Sequence, residues 1–316
     1  MNHSEETYKT ALGTLLDKLI LKGIVLDRGL LGELSSRLLL LRARDKATPG
    51  GKGCVNLDPV RRQPKVQPIQ LSKFLETLLG DALGLPDDSD EQCNIRDKLL
   101  QEASSVWINF THIYQLPLSI GEVTESMLFN AWSTGAAFQC AHNQPVIDGF
   151  IVGYRGSLDN PFQSSHLITI PWQSKAKSTA AASALARSLT APFIVPQNGG
   201  SRHKPWHVVI LMDLAASSAF GKATGPHCDL TCAKAVRPKR GEEEQEFWKS
   251  YAEVNESEGE CYCLNIRGHR AYNYPVLFGL EKQFDTLFMR ALGCPVPEFV
   301  PYAEIMAEAR NCTILD

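Results

Sequence analysis

Near Pro117 the spacing of apolar residues changes, and that change restricts the possible folds more than any motif in the chain. Before it, apolar positions recur at helical intervals: Leu12, Leu15, Leu16, Leu19 and Ile20, then Leu30, Leu34, Leu38 and Leu41. The joint from Gly23 to Gly29 is turn material, so residues 5–46 predict two antiparallel helices. Helical spacing returns at Leu71 to Leu79 and from Glu91 to Phe110, parted by Leu85-Pro-Asp-Asp-Ser-Asp. Residues 1–112 therefore read as a helical N-terminal domain. Within it, residues 48–68 are rich in Pro, Gly, Lys and Arg and read as an exposed basic loop. Gly50-Gly-Lys-Gly lacks the spacing of a phosphate-binding loop.

Beyond Pro117, Ser119 to Trp132 predicts a helix with Ser119 and Glu122 as its capping box. Pro145 to Tyr154 and His166 to Lys175 read as strands, and Ser178 to Leu189 as an Ala-rich helix. Trp206 to Leu214 and Cys261 to Arg267 are again strand-like, and helices are expected at Glu281–Leu292 and Tyr302–Arg310. Pro171 cannot donate to a sheet ladder, so its strand must lie at an edge or reach an end there. Residues 113–316 thus form an α/β domain with a sheet of at least four strands. An insert near 215–258 holds a basic run, Lys234 to Gly241, followed by an acidic one, Glu242 to Glu246.

With 44% hydrophobic and 21% charged residues, a chain of 316 residues is expected to be globular and long enough for two domains. Its net charge of -3 means that contact with nucleic acid must come from local cations rather than a whole-protein field. The first residues lack the order of a secretory signal and no apolar run is long enough to cross a bilayer, so a soluble protein without membrane contact is expected. Nine cysteines without framework spacing suit free thiols in a reducing, intracellular compartment, with nothing to separate nucleus from cytoplasm. The signatures of serine hydrolases, zinc proteases and dinucleotide enzymes are absent.

One ordered set carries chemistry: Glu125 on a helix, Asp148 in the first strand, and Gln173-Ser174-Lys175 closing the second. Residues 173 and 175 are two apart in extended chain, so their side chains leave one face and can meet one ion or phosphate. Each has a structural reading as well. Glu125 suits a solvated helix face, Asp148 before Gly149 suits a turn, and Lys175 and Lys177 suit surface charge.

The set resembles the PD-(D/E)XK, or restriction-endonuclease-like, superfamily across about 60 residues: Gly121-Glu-Val-Thr-Glu125, Ile147-Asp148-Gly, then Gln173-Ser174-Lys175. The resemblance implies a mixed central sheet flanked by helices and phosphodiester cleavage in DNA with Mg²⁺ or Mn²⁺. Asp148 and Gln173 would hold the ion, Lys175 would orient water or stabilise the oxyanion, and Glu125 would support the site. Gln173 stands where an acidic residue is usual. Lys177 and Arg187, on or beside the following helix, would touch the nucleic-acid backbone, while Ser178 and Thr179 suit its cap. The alternative is an inactive nuclease fold that binds nucleic acid or protein. The stretch Gly32 to Asp45 is similar in style to segments of large, uncharacterised fungal families that carry a nuclease-like region, and implies no activity of its own.

A zinc site is a further expectation. Cys228 and Cys232, with His227 nearby, precede Cys261 and Cys263 by about 30 residues, and four thiolates or three with a histidine can close a tetrahedral site. Burial of Cys261 and Cys263 as ordinary core thiols is the competing reading.

Overall fold

The computed structural model describes residues 3–21, 28–48, 67–84, 90–118, 122–141, 147–175, 206–214, 228–234, 260–268 and 273–291. The expected helices at 178–189 and 302–310 lie outside these residues, as do Lys177, Arg187 and nearly all of the basic loop.

Helices α1 (His3–Leu21), α2 (Arg28–Ala47) and α3 (Leu71–Leu79) form where the periodicity places them. In α3, Leu71, Phe74, Leu75, Leu78 and Leu79 are all buried, one stripe of a 3.6-residue repeat. Helix α4 (Asp90–Ala103) stops earlier than its pattern suggests, and Val106–Ile108 is strand β2. Strands β1 (Ile69–Gln70) and β3 (His112–Gln115) complete the part read as helix and loop. Helix α5 (Glu125–Thr134) is capped by Thr124, whose hydroxyl accepts from the Met127 N–H at 3.3 Å; Ser119, expected as the cap, lies outside the described residues. It ends at Gly135, left-handed at φ 70°, whose N–H caps the last turn.

Strands β4 (Ala136–Gln139), β5 (Gly149–Arg155), β6 (Leu167–Lys175), β7 (Trp206–Asp213), β8 (Cys228–Lys234) and β9 (Glu260–Arg267) join the first three in one mixed sheet. Its order is β1-β2-β5-β6-β7-β9-β8, with β4 on the β5 edge beside β2 and β3 paired to β4. β5 runs antiparallel to β6, whereas β6, β7 and β9 are mutually parallel. Strand β8 arises within the stretch read as an irregular insert, antiparallel to β9. Helix α6 (Glu281–Ala291) follows. β6 is interior, and Pro171 sits where its ladder to β7 has not begun, the first partnered residue being Trp172.

Two apolar clusters occupy the two faces, as alternation along each strand requires. Ile151, Ile170, Trp172, Ile210, Met212 and Leu264 face the first, together with Leu12, Leu39, Leu40 and Leu75 of the N-terminal helices. Phe150, Val152, Leu167, Val209, Leu211 and Cys263 face the second, covered by Leu128 and Trp132 of α5. The N-terminal helices share the first cluster with the sheet.

Gly149 opens β5 rather than forming a turn. Trp172, its partner on β6, lies across it, and a Cβ there would meet Trp172 Cζ2 at 2.3 Å and the Phe138 carbonyl at 2.4 Å. Gly149→Ala is expected to cost about 1–3 kcal/mol, as overpacking of a filled site does. Gly13→Ala, in a helix with nothing within 4 Å of the new methyl, is expected to stabilise by about 0.5–1 kcal/mol. Denaturant titration of both variants checks the pair.

Candidate active site

Parallel pairing brings the last residues of β6, β7 and β9 to one end of the sheet: Lys175 pairs with Asp213, and Asp213 with Arg267. One step in, Gln173 and Asn265 flank Leu211. The start of β5 and the end of β4 reach the same end, bringing Asp148, Gln139 and Cys140, whose backbone N–H donates to the Asp148 carbonyl at 2.8 Å. Asp148 therefore stands beside the end of β6 that carries Gln173 and Lys175.

The Asp148 carboxylate is held by its Oδ2, which accepts from both the Ser174 N–H and the Ser174 hydroxyl at 2.6 Å. Burial raises its pKa above the ordinary carboxylate value, against the Ser174 bonds and the charges of Lys175 and Arg37, which all favour the ionised form. Arg37 comes from α2. Its guanidinium donates to Gln139 Oε1, while Gln139 Nε2 donates to Glu33 Oε2, so one amide is clasped by two α2 side chains a helical turn apart. Burial lowers the Arg37 pKa, and Glu33 and Asp148 oppose that fall. Cys140 is pushed up to about 12 by burial first, then by Asp148 and Glu33.

Glu125 is the half-buried first residue of α5, and among the described residues no hydrogen bond or ion pair joins it to Asp148, Gln173 or Lys175. Glu33, also on a helix, acts electrostatically on Arg37 and Cys140. Nothing in the leucine periodicity around Glu33 distinguishes it from a solvated helix residue. Asp213 and Arg267 were also passed over, although each closes an apolar strand with a charge.

Gln173 Oε1 is buried without a hydrogen-bond partner, which suits an oxygen awaiting a cation, and only one oxygen of Asp148 is hydrogen bonded among the described residues. Among those residues no group of three His, Cys, Asp or Glu could hold a metal ion. A magnesium ion here would take one carboxylate, one amide oxygen and water, a set compatible with its habit of keeping several waters.

Of the residues expected to hold zinc, Cys228 packs against the first cluster and Cys263 is buried in the second, on opposite faces of the sheet. The side chains of Cys232 and Cys261, and His227, lie outside the described residues. Cys93, Cys140, Cys228 and Cys263 are free thiols. No described helix is long and apolar enough to cross a membrane.

No protein-family model, curated protein or solved structure matches the chain.

Ser174→Ala tests the Asp148 environment. A carboxyl whose folded pKa is raised favours the protonated form, so the stability linked to it falls as pH rises through that pKa. Losing the hydroxyl raises the pKa further and enlarges the penalty. Denaturation at pH 7 is expected to show a loss on the order of 1–2 kcal/mol for the variant. At pH 4 and below the gap should narrow as the carboxyl protonates in both proteins.

Proposed function

We propose that the chain is a metal-dependent nuclease cleaving DNA phosphodiester bonds on a restriction-endonuclease-like core. The observation that carries this reading is the pair of bonds from Ser174, between Gln173 and Lys175 at the carboxyl end of β6, to the carboxylate of Asp148, which stands just before the antiparallel strand β5. Ligand sites in open α/β sheets occupy that end.

Asp148 and Gln173 would hold a magnesium or manganese ion. Such an ion, when bound, supplies a nucleophile at neutral pH and neutralises charge on the scissile phosphate. The chain's own groups supply the rest. Lys175 places an ammonium where negative charge grows on the phosphoryl oxygens, an effect worth about 100-fold or more when preorganised. Ser174 fixes the Asp148 carboxylate so that it need not reorient. Glu33 and Arg37, through Gln139, hold α2 against the site, and the Arg37 charge favours the ionised form of Asp148.

A second reading is an inactive nuclease fold that binds nucleic acid. Arg37 favours it, because a guanidinium within range of Asp148 occupies part of the field that a metal ion would need.

Cleavage of plasmid and single-stranded DNA with Mg²⁺ or Mn²⁺ decides between the two. On the nuclease reading, Asp148→Ala and Lys175→Ala each lose about 100-fold or more in rate. Absence of cleavage by the native chain with either metal, alongside measurable DNA binding, leaves the inactive fold.

A further inference from the structure

Asn265-Ile266-Arg267 ends β9 with the same pattern that Gln173-Ser174-Lys175 gives β6: a carboxamide, one residue, then a cation. The register sets the two tripeptides side by side across β7, with Leu211 between the amides and Asp213 between the cations. Alternation sends all six positions to one face of the sheet. The outer row therefore holds two cations and one carboxylate, a net single positive charge, and its ends are about 10 Å apart at two strand spacings.

Behind that row, Gln173 and Asn265 are 4% and 3% exposed, and the carbonyl oxygen of each is buried without a hydrogen-bond partner. Buried amides are ordinarily satisfied. With the Gln173 oxygen assigned to the metal ion of the nuclease reading, the unsatisfied Asn265 oxygen beside a cation points to a ligand that brings both a donor and negative charge. Nucleotides do this, since phosphates pair with cations and sugar hydroxyls or base amino groups donate to amide oxygens.

We propose that Lys175 and Arg267 bind neighbouring phosphates of one nucleic-acid strand crossing the carboxyl ends of β6, β7 and β9. Asn265 contacts the intervening nucleotide, and Asp213 is a positioning residue between the two cations. The identity of the ligand rests on the nuclease reading; the paired tripeptides do not. Arg267 suits the task because its planar fork engages a phosphate through two bonds.

The test is fluorescence anisotropy of a labelled single-stranded oligonucleotide across a salt series, in an Asp148→Ala background that binds without cutting. Adding Arg267→Gln should weaken binding about tenfold and reduce the slope of log affinity against log salt by about 0.7, the loss of one phosphate contact to a single strand. Arg267→Lys should retain the slope, and Asn265→Leu should weaken binding without changing it. Arg267→Met, which keeps the aliphatic stem, serves if the glutamine variant fails to fold. An unchanged slope in the folded Arg267 variant, or no binding by the Asp148→Ala parent, overturns the inference. Cleavage by the native chain is read separately: an Arg267-dependent slope without cleavage removes the nuclease reading and leaves the phosphate row standing.

Discussion

Parallel pairing of β6, β7 and β9 is the constraint on which the polar end of this molecule depends. Parallel neighbours point their carboxyl ends the same way, so three strands far apart in sequence finish together with Lys175, Asp213 and Arg267 in one row. An antiparallel β7 would have sent Asp213 to the opposite end of the sheet. The same pairing places Leu211 between Gln173 and Asn265, which surrounds both amides with apolar neighbours and keeps their oxygens from water. Backbone hydrogen bonds thus create the electrostatic problem that the side chains at that end must solve.

The solution reaches beyond the sheet. Asp148 enters from the antiparallel strand β5, and its height is set by Trp172 lying over Gly149, a contact that leaves no room for a side chain at that position. Ser174 then donates twice to a carboxylate that burial would otherwise discourage from ionising. From the other direction, α2 contributes Glu33 and Arg37, which grip Gln139 on β4. The Asp148 environment is therefore assembled from a helix and three strands, each located by apolar packing some distance away.

Much of the architecture was legible because helices and interior strands advertise themselves by period. The runs at Leu71–Leu79, Leu167–Lys175 and Trp206–Asp213 appear where their patterns place them. Short or edge strands did not announce themselves: Val106–Ile108 continues a helical spacing by coincidence, and Cys228–Lys234 lies beside basic residues that mask its character. Spacing within one strand was enough to bring Gln173 and Lys175 to one face. It could not reveal register between strands, which alone sets Asn265, Arg267 and Asp213 beside Gln173 and Lys175. Glu33 was illegible for a further reason: its role depends on where α2 docks, and docking is decided by leucines on another side of the helix.

That docking has a consequence for how the chain can vary. Helix α2 carries Leu39 and Leu40 in the core and Glu33 and Arg37 at the polar end, so a single rigid rod spans both. A core substitution that rolls the rod by a few degrees changes the potential felt by Asp148 without touching any residue near it. The N-terminal helices act in this sense as a tuning arm: changes in their leucines adjust the acidity of a carboxylate more than a hundred positions downstream, and the two regions of sequence are bound to drift together.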